Sequence, residues 1–406
     1  MRARPLDDEL MAGNAIHAGE TAPAARPRSL VLSFDPVLLL AVIGLAVCSI
    51  VVVGEATADD IAGDPHYFSQ RQATYFVVGF VLAAGLWRLD YSRLRELRHA
   101  VYGFLIASIL AVTAFGSVAR GSRRAIDLPF FSFQASELGK VLLIVALSAF
   151  MVELSRELGD RRTTARIMLL ALIPAGLVML QPDLGSALVY IVIGLATLFV
   201  AGTPWRHFAA LGALFAVAVA LALVVLPTAG VNVLHGYQKD RLTAFLHPSD
   251  TASKEGYQQN QSRIAIGAGE KTGRGDQATQ TKLNFLPEHH TDFIFAVVGE
   301  RWGFAGAALV LSLYALLIWR GLRVLTMAKN LYGALIAGGI VAMLLFQVFV
   351  NVGMNVGIMP ITGIPLPLMS YGGSSILTTM LAVGLLQSVY AQGRAAQASK
   401  GRVLTF

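Results

Sequence analysis

Ten apolar runs, each near the roughly 20 residues an α-helix needs to cross a bilayer, are distributed along this 406-residue chain. They fall at 37–53, 75–89, 100–115, 136–154, 167–180, 185–201, 207–226, 293–319, 331–350 and 374–391. Lipid offers backbone groups no hydrogen-bond partners, so runs of this kind span as helices. The expected fold is therefore all-α: a polytopic integral membrane protein of about ten transmembrane helices. A large extracytoplasmic loop, 228–291, separates helices 7 and 8. Composition agrees, with 55% hydrophobic and only 14% charged residues, where soluble domains carry about a quarter charged. One membrane domain is expected over 34–393. It is flanked by a polar tail, 1–33, with nothing to bury, and by a short C-terminal tail, 394–406. The first ~30 residues lack the apolar core of a cleaved signal peptide.

The formal charge of +7 would suggest nucleic acid in a soluble protein. Here most Lys and Arg lie in short loops between apolar runs, which is a topology signal, and no nucleic-acid partner is expected. If the N-terminus is cytoplasmic, about 19 basic residues fall in inner segments and about four in the short outer loops. Both termini are thus expected inside. Three arginines break the rule: Arg120, Arg123 and Arg124 crowd a short outer loop. Either they meet an anion such as pyrophosphate, whose oxygens match the guanidinium fork, or they touch phospholipid headgroups and Asp127. Cys48 is the single cysteine and can form no intrachain disulfide. The glycine-dense stretch 267–275 follows no strand, so it is no dinucleotide loop and is expected to be a flexible or turn-rich part of the outer loop. No internal repeat is evident, which argues against inverted-repeat transporters.

Ionisable groups at membrane depth are few and costly, so each needs a role. Glu137 and Lys140 stand three apart on one helix face and can pair inside the bundle, as structure or as a substrate contact. Asp183 follows Pro182 where one helix ends and another begins, and can cap the second. Asp292 stands where the long outer loop meets an apolar helix, placed to cap that helix, to accept a proton, or both. Glu300 and Arg301 read as interior structural residues. His289 and His290 lack the spacing of a zinc motif, so no dedicated transition-metal site is expected. Between 351 and 375 the chain packs Pro360, Pro365 and Pro367 among glycines, and backbone so irregular must be buried in protein or line a wet cavity.

These residues sit in longer patterns. Arg71-Gln72, SRRAIDL (122–128), FQASELGK (133–140), QPDLGSA (181–187), GYQQNQSRIAIGAG (256–269), FLPEHHTDFIFAVVGE (285–300) and PITGIPLPLMSYGGSS (360–375) occur in this order. Together they resemble the SEDS family (shape, elongation, division and sporulation) over about 34–392. TKLNFLPEHHTDFIF is closer to the RodA branch, which serves elongation, than to the FtsW branch, which serves division. Ala135 and Gly139 depart from the family's usual Pro and Ala, and GERWG at 299–303 departs from GEELG.

The resemblance implies a peptidoglycan glycosyltransferase that polymerises lipid II on the outer face of the bacterial cytoplasmic membrane. Asp292 would be the general base or acceptor-orienting carboxylate. Arg71, Arg123, Arg124 and Lys140 would take the charge that builds on the leaving pyrophosphate. Glu137 would hold Lys140, while Asp183, Gln258, Gln261, Ser370 and Ser374 would line the site. The resemblance leaves room for a divalent cation, Mg²⁺ or Mn²⁺, without requiring one. It also implies a class B penicillin-binding protein as partner, with other elongation-complex membrane proteins and membrane lipids around it. The competing readings are a lipid II flippase and a division paralogue.

Overall fold

The computed structural model describes residues 34–61, 64–119, 122–127, 131–221, 254–282 and 285–403. The tail 1–33, the first part of the large outer loop, Arg120, the side chain of Arg123 and residues 404–406 lie outside the described residues. Each of the ten apolar runs is met by one helix: α1 Pro36–Ala56, α2 Tyr67–Arg88, α3 Arg98–Phe115, α4 Ala135–Glu153, α5 Arg161–Leu180, α6 Leu184–Ala201, α7 Trp205–Ala220, α9 Ile294–Met327, α10 Leu331–Val356 and α11 Gly373–Val403. An eleventh, α8 Lys254–Ala268, belongs to the outer loop. Among the described residues eight helices are long and apolar enough to cross a membrane. The chain is a multi-pass membrane protein. The exceptions are α2, which carries Arg71 and Arg88, and α7, which is shorter.

Burial separates the layers. In their apolar windows α4, α10 and α11 are 78%, 72% and 83% buried, whereas α3 is 22% buried and faces lipid. The polar side of α2 is tolerated because Gln72, Tyr75, Phe76, Gly79 and Ala83 form a buried stripe at helical spacing. That stripe lies along α11, and Ser388 of α11 donates to the Leu89 carbonyl, 2.8 Å, at the end of α2.

One charged clamp joins three helices at the start of α1. Asp35 is fully buried and caps α1, accepting from the amides of Val37 (3.1 Å) and Leu38 (3.2 Å). Its Oδ2 takes two bonds from Arg320 of α9, at 2.8 and 2.5 Å. The Gln387 side chain of α11 pairs with its backbone at both ends, 2.8 and 3.0 Å.

Two features differ from expectation. The outer segment after α3 is not plain loop but three short antiparallel strands, β1 Ser117–Ala119, β2 Ser122–Asp127 and β3 Ser132–Phe133, in the order β1-β2-β3. The stretch 267–275 does run in turns once Gly267 and Ala268 have ended α8, but those turns are bonded to a helix. Helix α9 is broken at Gly303, whose φ of 62° no other residue type adopts without strain. The broken turn leaves backbone groups without helical partners. The glycine-rich stretch supplies them: Arg274 N donates to Glu300 O (2.8 Å), Phe304 N to Glu270 O (2.9 Å) and Ala305 N to Lys271 O (3.1 Å). Glycine is what lets the loop come this close, since a Cβ at Gly269 would lie 1.8 Å from Gly299 O and one at Gly273 2.1 Å from Arg301 O.

The departure at Gly139 also has a packing reason. The buried Tyr190 of α6 donates its hydroxyl to Ser136 O, 3.0 Å, across the face of α4. A Cβ at position 139 would lie 1.9 Å from that hydroxyl oxygen.

Two measurements test this packing. Arg320→Ala leaves the Asp35 carboxylate buried and unpaired, so thermal melting in detergent should register a loss of about 3 kcal/mol or more. Asp35→Asn keeps an N-cap, leaves only the partly exposed arginine alone, and should cost less. Gly139→Ala should lose about 1–3 kcal/mol to overpacking. Adding Tyr190→Phe should recover part of it, because the ring Cζ lies 3.1 Å away; strictly additive losses would contradict the contact.

Candidate active site

The site is built around a short turn, 288–293, between the outer loop and α9. Inside the turn, the amides of Thr291 and Phe293 donate to Glu288 O at 3.2 and 3.3 Å. Three of its other carbonyls are bonded from outside the turn. Asn351 and Asn355 of α10, one turn apart, both donate to Asp292 O, at 3.0 and 3.2 Å. Ser370 Oγ donates to Thr291 O (2.6 Å) and the Tyr371 amide to His290 O (2.9 Å). The backbone flanking Asp292 is thus fixed at three consecutive carbonyls. Its side chain is half-buried.

Asp292 is not at the N-cap position expected of it. The N-cap of α9 is Phe293, with no side-chain cap bond. Asn355 does part of that work from outside, its Oδ1 accepting from Ala296 N at 3.1 Å.

The irregular segment 357–372 forms the opposite wall, held by the same side chains. Ser370 is buried and its hydroxyl also accepts from Leu366 N, 2.8 Å. Gln72 of α2 donates to Ser370 O (3.2 Å) and to Ser49 Oγ (2.8 Å). Ser370 therefore positions backbone and presents no free hydroxyl to a ligand. Ser374, at the start of α11, donates to Ser132 O (2.6 Å) and accepts from Gln134 N (2.9 Å), joining the wall to β3 and α4.

Arg71 lies one turn into α2, half-buried, with its guanidinium 4.8 Å over the Tyr67 ring. Its charge also acts on the Tyr371 hydroxyl, as does the neighbouring Tyr75. Burial pushes that hydroxyl above the ordinary tyrosine range; Tyr75 adds to the effect and Arg71 opposes it. Tyr371 thus stays a proton-bearing phenol at neutral pH. Its ring packs edge-on against Phe68 (5.0 Å) and lies 5.9 Å from His290. Arg71 and the Asp292 turn are connected through this one residue.

Glu137 and Lys140 form the expected pair near the start of α4, Nζ to Oε1 2.5 Å, both almost completely buried. Asp183 caps α6 through the Ser186 amide, 3.1 Å. It also accepts from Ser136 Oγ (3.1 Å) and Gln134 Nε2 (3.3 Å), so its carboxylate is committed to α4 as well. Arg124, on β2, donates through Nε to Gln181 O (3.2 Å) and through Nη2 to Pro182 O. Its fork is occupied by the turn between α5 and α6 rather than by Asp127, which accepts from Ser132 Oγ at 2.6 Å.

Helix α8 lies over the outer ends of α9 and α10. Gln258 is buried there and Gln261 half-buried. The firm anchors on α8 are their neighbours: Gln259 donates to Met359 O (2.9 Å) and Ser262 to Asn355 O (2.9 Å). Glu300 accepts from Gln280 N (2.8 Å), and Arg301 pairs with Glu55 of α1 (2.8 Å).

Sequence reasoning missed Asn351, Asn355, Gln134 and Tyr371. The signal for the asparagines was present: two amides four apart in NVGMNV, inside an apolar helix, lie on one face and must bond within the protein. Gln134 and Tyr371 gave no such periodicity. Chemically, the described residues offer a carboxylate on a fixed backbone, a guanidinium on α2 stacked over Tyr67, and a buried ammonium on α4 held in place by its own counter-ion.

This architecture has known counterparts. The family model described as "Cell cycle protein", covering FtsW, RodA and SpoVE, matches residues 32–395. The peptidoglycan glycosyltransferase MrdB of Escherichia coli (strain K12) is 35% identical over 359 residues, 88% of this chain and 93% of the relative. A probable peptidoglycan glycosyltransferase FtsW of Thioalkalivibrio sulfidiphilus is 37% identical over 358 residues, 87% of each chain. Among solved structures, a chain of a peptidoglycan synthase complex described as coordinating polymerization and crosslinking superposes with a TM-score of 0.73. It is 32% identical, and the match covers 89% of this chain and 99% of that one. The rod-shape-determining protein RodA of Thermus thermophilus superposes with a TM-score of 0.64 at 31% identity, over 88% and 97% of the two chains. With nearly the whole membrane domain matched in sequence and in fold, the chain belongs to the FtsW, RodA and SpoVE family of cell cycle proteins.

Proposed function

We propose that this chain is a peptidoglycan glycosyltransferase that polymerises lipid II into glycan strands during cell elongation, with Asp292 as its catalytic carboxylate. The observation that carries the reading is the turn at 288–293. Three successive carbonyls there are bonded by Tyr371, Ser370 and the two asparagines, so the carboxylate sits on a backbone that cannot drift. MrdB supports the reaction class, and the RodA-like fold supports elongation.

In the proposed reaction the 4-hydroxyl of an acceptor GlcNAc attacks the anomeric carbon of a lipid-linked MurNAc. The bond from that carbon to the pyrophosphate oxygen breaks, and inversion turns the α linkage into β. The hydroxyl proton passes to the Asp292 carboxylate. The leaving pyrophosphate gathers charge, which Arg71 and Lys140 stabilise from fixed positions. Glu137 keeps Lys140 from swinging away, and Tyr371 orients Arg71. Arg124 and Asp183 hold the β-ribbon and the α5–α6 turn that frame this side, while Gln258 and Gln261 line the cover formed by α8. A divalent cation, Mg²⁺ or Mn²⁺, is compatible with the hard oxygen donor at Asp292 and would offset pyrophosphate charge.

The membrane is the bacterial cytoplasmic membrane, with both termini inside and the site on the outer face. The excess of basic residues in the inner loops supports this orientation. The partner is a class B penicillin-binding protein that crosslinks the product; the related chain in a complex coordinating polymerization and crosslinking supports that assignment.

The test is polymerisation of labelled lipid II by the protein purified with its cognate penicillin-binding protein. Wild type should make long glycan, and Asp292→Asn, folded normally, should be slower by a factor of about 10² to 10⁴. Lys140→Ala should also lose most activity. Wild-type product from Asp292→Asn would remove the base role. No product from wild type would instead favour a flippase.

A further inference from the structure

We propose that Asp60, His289 and His290 bind a divalent transition-metal ion that fastens the outer end of α1 to the turn carrying Asp292. Asp60 is far in sequence from the adjacent pair His289 and His290, which is why spacing gave no hint of the three together. Their ligand atoms all lie within 4.8 Å of one another.

The geometry of His289 is the strongest sign. It is 4% exposed, and both ring nitrogens face oxygen: Nδ1 lies 3.0 Å from Leu286 O and Nε2 3.1 Å from Ala56 O. Carbonyl oxygens only accept, and a neutral imidazole has a single N–H. Placing that proton on Nδ1, toward the local carbonyl of Leu286, leaves the Nε2 lone pair directed at Ala56 O and at Asp60 Oδ2, 3.6 Å away. Three electron-rich atoms then converge, and a positive charge belongs between them. An N–H bonded to a backbone carbonyl on the far side of the ring is the arrangement that orients metal-ligating histidines.

Either a proton or a metal ion could supply the charge, and the neighbouring imidazole favours the metal. The rings of His289 and His290 lie 5.2 Å apart at 79°. Two imidazoles and a carboxylate make the mixed nitrogen–oxygen set preferred by Zn²⁺ and similar ions, whereas Mg²⁺ and Ca²⁺ prefer oxygen alone. Bonds of about 2.0–2.2 Å require the donors to close by roughly an ångström, which the loop bearing Asp60 can provide. The ion would tie residues 56–60 to a position three residues before Asp292, next to the Glu55–Arg301 pair that joins the same two segments.

Ion binding is read directly, without polymerisation. The purified protein, stripped with chelator, is titrated with Zn²⁺ against a chromophoric competitor, and its melting temperature is followed with and without Zn²⁺. Wild type should bind one equivalent and melt higher when loaded. Asp60→Asn, a change in a solvent-reaching loop side chain, and His289→Gln should each weaken binding by more than about tenfold and abolish the thermal shift. Mg²⁺ at the same concentration should do neither. Absence of saturable Zn²⁺ binding by wild type would overturn the proposal, as would Asp60→Asn binding as tightly as wild type. Stabilisation by acid in place of Zn²⁺ would assign the site to an imidazolium–carboxylate pair instead.

Discussion

Irregular backbone near a membrane survives only if every amide and carbonyl finds a partner in the protein, since an unmet group there costs several kcal/mol. Around Asp292 this protein answers that requirement with Asn355. Its side chain accepts from Ala296 N and donates to Asp292 O and Asn351 O, while its own carbonyl accepts from Ser262. Helix α10 thereby holds the start of α9, the turn bearing Asp292 and the covering helix α8 in one arrangement. Asn351 extends the scheme to the proline-rich wall by donating to Ile364 O as well. Removing Asn351 would take the donor from Ile364 O, and removing Asn355 the acceptor from Ala296 N, and either loss would leave Asp292 O with a single side-chain donor, so the turn and its surroundings are held as one unit.

Charge is distributed on the same logic. Buried ion pairs add little net stability, but losing one partner is expensive because the other charge stays behind. Asp35–Arg320 fixes one end of α1, and Glu55–Arg301 the other. Glu137–Lys140, near the start of α4, is almost completely buried, with no solvent to rearrange around it. A charge held this way is already oriented when a substrate arrives, which is the condition for electrostatic stabilisation without reorganisation. Arg71 meets the same condition through its contacts with Tyr67 and Tyr371.

Much of this was legible in the chain. Apolar runs located ten helices because hydrocarbon permits few alternatives, and Asp292, Glu137 and Lys140 stood out because charge is rare at that depth. The i, i+3 spacing of Glu137 and Lys140 was enough to foresee their pairing. What stayed hidden depended on contacts between distant segments. The arginines at 123 and 124 looked available for an anion, yet Arg124 is bonded to carbonyls of Gln181 and Pro182. Ser370 looked like a site lining and is a backbone brace. The glycine-rich loop looked loose because its partner, the helix break at Gly303, is thirty residues away and announces itself only through a φ angle. Asp60 could not be associated with the two histidines before the fold brought them together.

The central claim is that the asparagine brace fixes the turn on which catalysis depends, and hydrogen–deuterium exchange across 288–296 tests it most directly. Loss of a buried amide partner worth about 1–3 kcal/mol should speed exchange there by about 5- to 150-fold in Asn355→Ala, with a parallel fall in glycan synthesis. Asp292→Asn should abolish synthesis while leaving exchange unchanged, separating chemistry from positioning. Wild-type protection and wild-type synthesis in Asn355→Ala would contradict the account.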